Sequence, residues 1–187
     1  MNEREKNILS AAERVFVRFG YKRASMSDVA EEAGISRQTL YKAFRSKEDI
    51  LKTHIVVYTD VALAEIEKGL NKIEGLSERL RFVLDKMVVV GFDMVRATPN
   101  AQDIIDGVNS ATKEELEVTA IRFQAVIKDV LDPYETALRD AGTNPEDLAE
   151  YIQRSARAAK DFAKDKQQLM QHLRMIVLLS ERAAGLR

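Results

Sequence analysis

The chain has 187 residues, of which 45% are hydrophobic and 32% are charged, and its net charge is −1. This balance is typical of a folded globular protein and excludes an intrinsically disordered one. Cysteine is absent, which excludes disulfides and thiolate metal sites, and no apolar run approaches the ~20 residues of a membrane span, so we expect a cytoplasmic protein without a membrane partner.

Helical periodicity runs along the whole chain, and eight glycines and three prolines interrupt it rarely. The predicted helices lie at about 3–19, as two short helices within 25–46, and then at about 47–70, 78–97, 100–107, 112–140, 146–163 and 167–184. Pro133 is expected to kink the helix that contains it, because proline lacks a backbone donor. No β-alternation of strand length occurs. The pattern predicts an all-α fold.

Residues 25–49 carry the signals of a helix–turn–helix. Ser25 and Asp28 form an S-x-x-D capping pattern at the start of the first short helix. Gly34 suits the left-handed position that ends this helix, because glycine adopts a positive φ without a Cβ penalty. Ser36 is expected to cap the second short helix. The segment therefore predicts two short helices joined by a tight turn.

The exposed face of the second short helix is rich in hydrogen-bond donors, and no acidic residue lies between Ser36 and Lys47. The side chains concerned are Arg37, Gln38, Thr39, Tyr41 and Lys42. Residues 1–47 hold ten Lys and Arg against six Asp and Glu, whereas residues 48–187 hold nineteen against twenty-four. A basic head on an acidic body is typical of a protein that meets phosphates at one end. The alternative is an ordinary helical hairpin with a solvated charged face.

At these residues the chain resembles the tetracycline-repressor (TetR/AcrR) family of bacterial transcription regulators. The resemblance covers about the first 50 residues. It rests on Ala-Glu-Arg-Val-Phe at 12–16, Phe-Gly-Tyr at 19–21, Asp-Val-Ala at 28–30, Ala-Gly-Ile-Ser at 33–36, Thr-Leu-Tyr at 39–41, Phe44 and Ser-Lys-Glu at 46–48. It implies phosphate contacts by Ser25, Thr39, Tyr41 and Lys47, and positions near base edges for Arg37, Gln38 and Lys42. Ser36 joins this predicted DNA-binding set as the cap of the recognition helix.

Lys47 has a second signal, because it lies in the first turn of the following helix. A cation there opposes the helix dipole, and this unfavourable position favours contact with a phosphate.

We therefore expect an N-terminal three-helix helix–turn–helix domain at 1–47, carried on a larger helical-bundle domain for ligand binding and dimerisation at 48–187. The expected function is that of a ligand-responsive transcriptional repressor. It would bind a palindromic operator in double-stranded DNA as a homodimer and be released by a small effector. Two alternatives stay open: a dimeric helical adaptor for another protein, and a small-molecule-binding bundle without DNA binding.

The resemblance implies an effector pocket in the body, and the middle helices carry apolar and aromatic side chains that would suit a hydrophobic or amphipathic ligand. The candidates are Val88, Phe92, Phe123, Ile127 and Tyr134. Gly91 interrupts this apolar stretch and would leave space for a ligand. Ordinary core packing is the alternative for each of these residues.

The last helix predicts a subunit interface, since the five apolar residues 175–179 cover every face of the helix and one domain can bury only one face. The preceding helix offers small residues that permit close approach. The predicted interface residues are Ala156, Ala159, Leu173, Ile176 and Val177. A four-helix seam between two copies follows, as the resemblance also implies. The alternative is that this helix is central in the core of a monomer.

Enzyme function finds no support in the sequence. Only two histidines occur, His54 and His172, and neither belongs to an H-E-x-x-H pattern. Phosphate loops and G-x-S-x-G motifs are also absent from the sequence. We expect no catalytic residue, metal or cofactor.

Overall fold

The computed structural model describes residues 1–96 and 98–186, and every regular element found in them is helical. Eleven α-helices, one π-helical turn and one 3-10 turn occur in these residues, with no strand among them. The α-helices are α1 (Glu3–Phe19), α2 (Met26–Glu32), α3 (Arg37–Ala43), α4 (Lys47–Leu70), α5 (Leu76–Leu84), α6 (Val90–Arg96), α7 (Ala101–Ala111), α8 (Lys113–Leu131), α9 (Glu135–Asp140), α10 (Pro145–Phe162) and α11 (Lys166–Ala183). The predicted all-α fold class is confirmed.

Two predicted helices are divided in the structure. The helix expected at 78–97 begins as α5 and passes through a π-turn at Asp85–Val89, where the Val90 N–H donates to the Asp85 carbonyl, before it continues as α6. Its predicted end at Ala97 lies outside the described residues. The helix expected at 112–140 stops as α8 and resumes as α9 after a 3-10 turn at Asp132–Tyr134. That turn contains Pro133, where the kink was expected.

The described residues divide into two compact units. The first comprises Met1–Thr59 and Met94–Leu116, and the second comprises Asp60–Asp93 and Glu117–Arg187. The first unit thus contains the predicted DNA-binding segment 1–47 together with α7. The division into domains at 1–47 and 48–187 stays a prediction.

The core of the first unit is built from the apolar faces of α1, α2, α3 and the start of α4. Its fully buried side chains include Ile8, Val29, Leu40 and Ile50. Leu40 shares its face of α3 with Phe44, which is also buried. The helix–turn–helix is therefore anchored on α1 and α4 through its inner faces.

The core of the second unit is built from α5, α8, α10 and α11. Leu80, Ile127, Ile152 and Leu169 are fully buried in it. α11 packs on α5 and α10, and the π-turn packs on α10. No helix in residues 1–96 and 98–186 has both the length and the apolar character needed to cross a bilayer.

Candidate nucleic-acid interface

Helix α2 is fixed to α1 by polar contacts at its carboxyl end. Arg14 Nε donates to Glu32 at 2.6 Å, and Arg18 lies 3.7 Å from the same carboxylate. The Arg14 hydrogen bond holds the pKa of Glu32 below its usual value. The Asn7 amide donates to the Ala33 carbonyl at 3.0 Å. These contacts set the position of α2 without using any side chain of α3.

The start of α2 and the turn between α2 and α3 both have the geometry that the sequence predicts. The Ser25 hydroxyl accepts from the Asp28 N–H at 3.3 Å, and the Asp28 carboxylate accepts from the Ser25 N–H at 2.8 Å, which completes the capping box. Gly34 has φ +66°, the left-handed region that glycine favours. Ile35 then donates its N–H to the Ala30 carbonyl at 3.0 Å, as in a Schellman motif.

Helix α3 buries one face and presents donors on the other. Leu40 is fully buried, whereas four side chains are exposed: Arg37, Gln38, Tyr41 and Lys42. We call these four residues the donor face. None of their side chains makes a hydrogen bond or ion pair with another residue of the described chain. The donor face is therefore free to bind groups from outside the molecule, and it is where the sequence predicted it.

The serine and threonine hydroxyls of the predicted DNA-binding set make hydrogen bonds within the chain. Ser25 donates to Asp28 at 2.7 Å. Ser36 accepts from the Thr39 N–H at 3.1 Å and shares a hydrogen bond with the Thr39 hydroxyl at 2.9 Å. Ser25 thus caps α2, and Ser36 caps α3 with Thr39 hydrogen-bonded to it. Contact of these residues with phosphate stays a prediction. A phosphate would have to share their hydroxyl groups with the hydrogen bonds that cap the helices.

Lys47 has internal partners in the structure. Its ammonium donates to the carbonyls of Tyr21, Lys22 and Ala24 at 2.8, 3.2 and 3.3 Å, and it lies 4.6 Å from the centre of the Tyr21 ring. The three carbonyls match the three donors of an ammonium group. This internal role explains a cation in the first turn of α4. Phosphate contact by Lys47 stays a prediction, but its position on the helix no longer favours it.

A set of contacts that the sequence does not predict holds the turn between α1 and α2. The Asn100 amide, at the start of α7, donates to the carbonyls of Val17 and Arg18 at 3.1 and 3.3 Å. Asp103 accepts from the Lys22 N–H at 2.9 Å and lies 3.6 Å from the Lys22 ammonium. These partners are about 80 residues apart in sequence, so helical periodicity carries no signal for them.

The predicted effector residues lie together in the core of the second unit. Four of them are buried, and Tyr134 is half-buried against them; the four are Val88, Phe92, Phe123 and Ile127. Their common location fits either a core or the wall of a cavity. Their role in binding an effector stays a prediction.

The predicted dimer residues lie inside this chain. Their side chains are packed in the core of the second unit, and all are 7% exposed or less: Ala156, Ala159, Leu173, Ile176 and Val177. A surface for a second copy would have to be formed by their outward neighbours. On α11 these are Met175, Leu178 and Leu179, and on α10 the large exposed hydrophobic residues are Tyr151 and Phe162. The described residues contain no group of three or more carboxylates and histidines placed to hold a metal.

The chain is all-α, and its helix–turn–helix is capped and carries a free donor face on the second helix. This is the architecture of helix–turn–helix proteins. Residues 8–53 match the family model described as "Bacterial regulatory proteins, tetR family". Over these residues the chain is similar to the tetR family of bacterial regulatory proteins.

Individual relatives agree with this family. The uncharacterized HTH-type transcriptional regulator YfiR of Bacillus subtilis is 32% identical over 49% of this chain and 50% of its own length. The fatty acid metabolism regulator protein of the same organism is 29% identical over 68% of this chain and 60% of its own length. In both relatives the matched part is less than two thirds of the relative.

A solved structure extends the similarity of fold to nearly the whole chain. The fatty acid degradation regulator FadR from Bacillus halodurans superimposes with a TM-score of 0.62 over 96% of this chain and 95% of that chain. The sequence identity is 18%, so the similarity concerns the fold.

Proposed function

We propose that this protein is a transcriptional regulator that reads double-stranded DNA through the donor face of α3. The observation that carries the proposal is the free state of Arg37, Gln38, Tyr41 and Lys42. A helix fits the major groove, and guanidinium, amide and ammonium groups are the donors that recognise base edges and phosphates there. Several carboxylates within 1–47 already accept hydrogen bonds from other residues, as Glu32 does from Arg14, and so are not paired with the donor face. The donor face thus keeps its positive charge.

Dimerisation is the second part of the proposal, because two recognition helices spaced by about one DNA turn (~34 Å) read a palindrome. We now assign the contact surface to Tyr151, Met175, Leu178 and Leu179 in place of the buried residues named from the sequence. These four side chains are 43–56% exposed. An exposed apolar patch of this kind is costly in water and favours a partner surface.

The third part is release from DNA by a small hydrophobic or amphipathic effector bound in the second unit, with repression as the resting state. The apolar cluster around Val88, Phe92 and Phe123 supports such a ligand. One relative is a fatty acid metabolism regulator and the superimposed structure is a fatty acid degradation regulator, which agrees with an effector that has an apolar chain. An effector shifts the DNA affinity only as far as it binds the released conformation more tightly.

DNA binding is tested first with the parent chain. Bound fragments selected from the source genome would supply an operator, and fluorescence anisotropy would give its affinity at several salt concentrations. We expect a steep loss of affinity with salt, because binding releases counterions. If the protein were instead an adaptor for another protein, no DNA fragment would be selected. Failure to select any fragment would therefore reject the proposal.

Two substitutions then test the donor face. Gln38→Ala should reduce the preference for operator over unrelated DNA, by about 1–3 kcal/mol at the base it reads. Tyr41→Phe removes one exposed hydroxyl and should weaken binding to all DNA sequences about equally. Lys72→Ala, at an exposed lysine after α4, is the control. Parent-like binding by both donor-face variants would rule out this surface.

A further inference from the structure

A cleft of about 240 Å³ lies in the first unit, where α1 ends and α2 begins. Arg18 and Phe19 from the last turn of α1 line it, together with Arg23 from the turn and Asp28 from α2. We call these four residues the α1–α2 cleft. All of them except Asp28 are exposed, so the cleft is open to solvent. Sites for drug-sized ligands usually measure about 300–1,000 Å³, so this cleft suits a smaller group.

Arg23 has hydrogen-bond donors that the fold does not use. Its Nε donates to the Phe19 carbonyl at 3.1 Å, which ties the side chain to the end of α1. A guanidinium has five N–H donors, and the four on the Nη atoms have no partner among the described residues. Because the group is planar and anchored at Nε, little freedom is lost when its Nη donors bind a ligand.

Arg18 lines the same cleft, and its donors are also free. Its guanidinium carbon lies 5.7 Å from the centre of the Phe19 ring, and Nη1 is 3.7 Å from a Glu32 oxygen, which is too far for a hydrogen bond. Glu32 accepts its hydrogen bond from Arg14 instead, at 2.6 Å. The helix dipole favours a cation in the last turn of α1, but it does not explain a second free guanidinium in the same cleft.

Asp28, the carboxylate of the cleft, already has partners. It accepts from the Ser25 hydroxyl at 2.7 Å and from the Ser25 N–H at 2.8 Å. These hydrogen bonds and the nearby charge of Arg37 hold the pKa of Asp28 below its usual value. Arg37 offsets the charge of Asp28, so Arg18 and Arg23 leave the cleft positive. Since Arg37 belongs to the donor face, the cleft adjoins that face.

The position of the cleft favours DNA as the source of the anion. When the second helix of a helix–turn–helix lies in the major groove, the first helix crosses the sugar–phosphate backbone. The cleft lies at the start of that first helix, α2, and beside Arg37 of α3. Phe19 is 41% exposed, and its ring could pack on the deoxyribose next to a bound phosphate.

We propose that Arg18 and Arg23 bind one phosphate of the DNA backbone, outside the bases that the donor face reads. The paired N–H groups of arginine match the oxygens of a phosphate. Such a contact fixes the register of a protein on the duplex and carries no base preference. The inference rests on the proposed function in one respect, that the partner is DNA. It adds a second contact surface and the two residues that form it.

The first test uses the full chain, the selected operator and fluorescence anisotropy. Arg23→Gln should weaken binding to operator and to unrelated DNA by the same factor, roughly tenfold, because the lost hydrogen bonds join two charged groups. The slope of log affinity against log salt concentration should become less steep by about one. Arg23→Lys should restore part of the affinity, because it keeps the charge.

Arg18→Gln tests whether the two guanidinium groups share one phosphate. Alone, it should weaken binding in the same sequence-independent way as Arg23→Gln. In the double variant the loss should be smaller than the product of the two single losses, because both substitutions act on the same contact. Independent losses would mean that the two residues do not form a common site, and would overturn the inference.

Neutral methylphosphonates identify the phosphate itself. Each phosphate of the operator is replaced in turn, and the parent is compared with Arg23→Gln. At one position in each half-site, outside the bases affected by Gln38→Ala, the replacement should weaken the parent and leave the variant unchanged. At the other positions both proteins should lose affinity alike. If every replacement affects the two proteins equally, the inference is wrong.

Arg139→Gln is the matched control, because Arg139 is an exposed arginine on α9 of the second unit and its ion pair with Glu135 lies within its own helix. It should bind DNA as the parent does. A reduced operator preference in Arg23→Gln without rescue by Arg23→Lys would indicate a displaced α2, and would overturn the inference. Saturable binding of inorganic phosphate that Arg23→Gln abolishes, with operator affinity unchanged, would mean that the cleft holds a free anion instead of DNA.

The inference and the proposed function fail in different ways. A parent that binds operator DNA through the donor face, with parent-like binding by Arg18→Gln and Arg23→Gln, would refute only the role of the cleft. A parent that binds no DNA would refute both.

Discussion

The Lys47 ammonium holds the turn between α1 and α2 together with the contacts from α7. Lys47 donates to three carbonyls of residues 21–24 and lies over the Tyr21 ring. The Tyr21 hydroxyl in turn donates to Glu48 at 2.9 Å. Burial and this carboxylate raise the pKa of Tyr21, so the phenol remains protonated as a donor. The turn that leads into α2 is therefore fixed by the first residues of α4.

Lys47→Met should lower the free energy of unfolding by about 1–3 kcal/mol, because it leaves carbonyls without their charged donor. Lys42→Met is the matched control, since Lys42 is an exposed lysine of the donor face with no partner among the described residues. It should leave the stability within about 0.5 kcal/mol and weaken DNA binding instead. Urea denaturation measures the first effect. Equal stability of the parent and Lys47→Met would contradict the role assigned to this ammonium.

At the scale of elements, local chemistry predicts more than distant contacts do. Ser25, Gly34 and Ser36 specify where α2 and α3 begin and end, because caps and positive φ values depend on neighbours in sequence. Sequence reasoning also placed the segment that forms α7 in the predicted ligand-binding and dimerisation domain at 48–187. It missed the contacts of Asn100 and Asp103 with the turn between α1 and α2, because these depend on tertiary packing. The π-turn at Asp85–Val89 has no sequence signal either.

Gly107 in α7 tests the contact between this helix and the turn. A Cβ at this position would overlap the ring of Tyr21, which is buried and held by Glu48 and Lys47. Gly→Ala within a helix ordinarily stabilises a protein by about 1 kcal/mol. Gly107→Ala should instead destabilise this one by about 1–3 kcal/mol, because the ring cannot move away freely.

Asn109→Ala is the control for that substitution, since Asn109 is exposed on the same helix. It should leave the Tm unchanged or raise it slightly, as the higher helix propensity of alanine implies. Thermal denaturation followed by circular dichroism compares the two variants. A rise in Tm for Gly107→Ala would show that α7 and Tyr21 do not pack closely in solution.

At the scale of the whole molecule, the apolar run at 175–179 marks the limit of what periodicity decides. A run that covers every face of a helix predicts that more than one face is buried, but it cannot tell which face is turned inward. In the structure Ile176 and Val177 point into the core, whereas Met175, Leu178 and Leu179 remain exposed. The expected interface therefore moves by one or two positions along α11, which is enough to exchange every residue of this helix that was named for it.

Leu179→Glu tests whether this exposed face joins two copies of the chain. A glutamate buried in the interface would lose its hydration without a partner, so the dimer should dissociate at concentrations at least about tenfold higher than for the parent. Ile121→Glu is the control, because Ile121 is an exposed aliphatic residue on a different helix, α8. Sedimentation velocity distinguishes monomer from dimer.

A monomeric Leu179→Glu variant should bind a palindromic operator far more weakly than the parent does. It should bind a single half-site with the same affinity as one head of the parent, because each head keeps its donor face. Dimers of unchanged stability in this variant would place the subunit contact elsewhere.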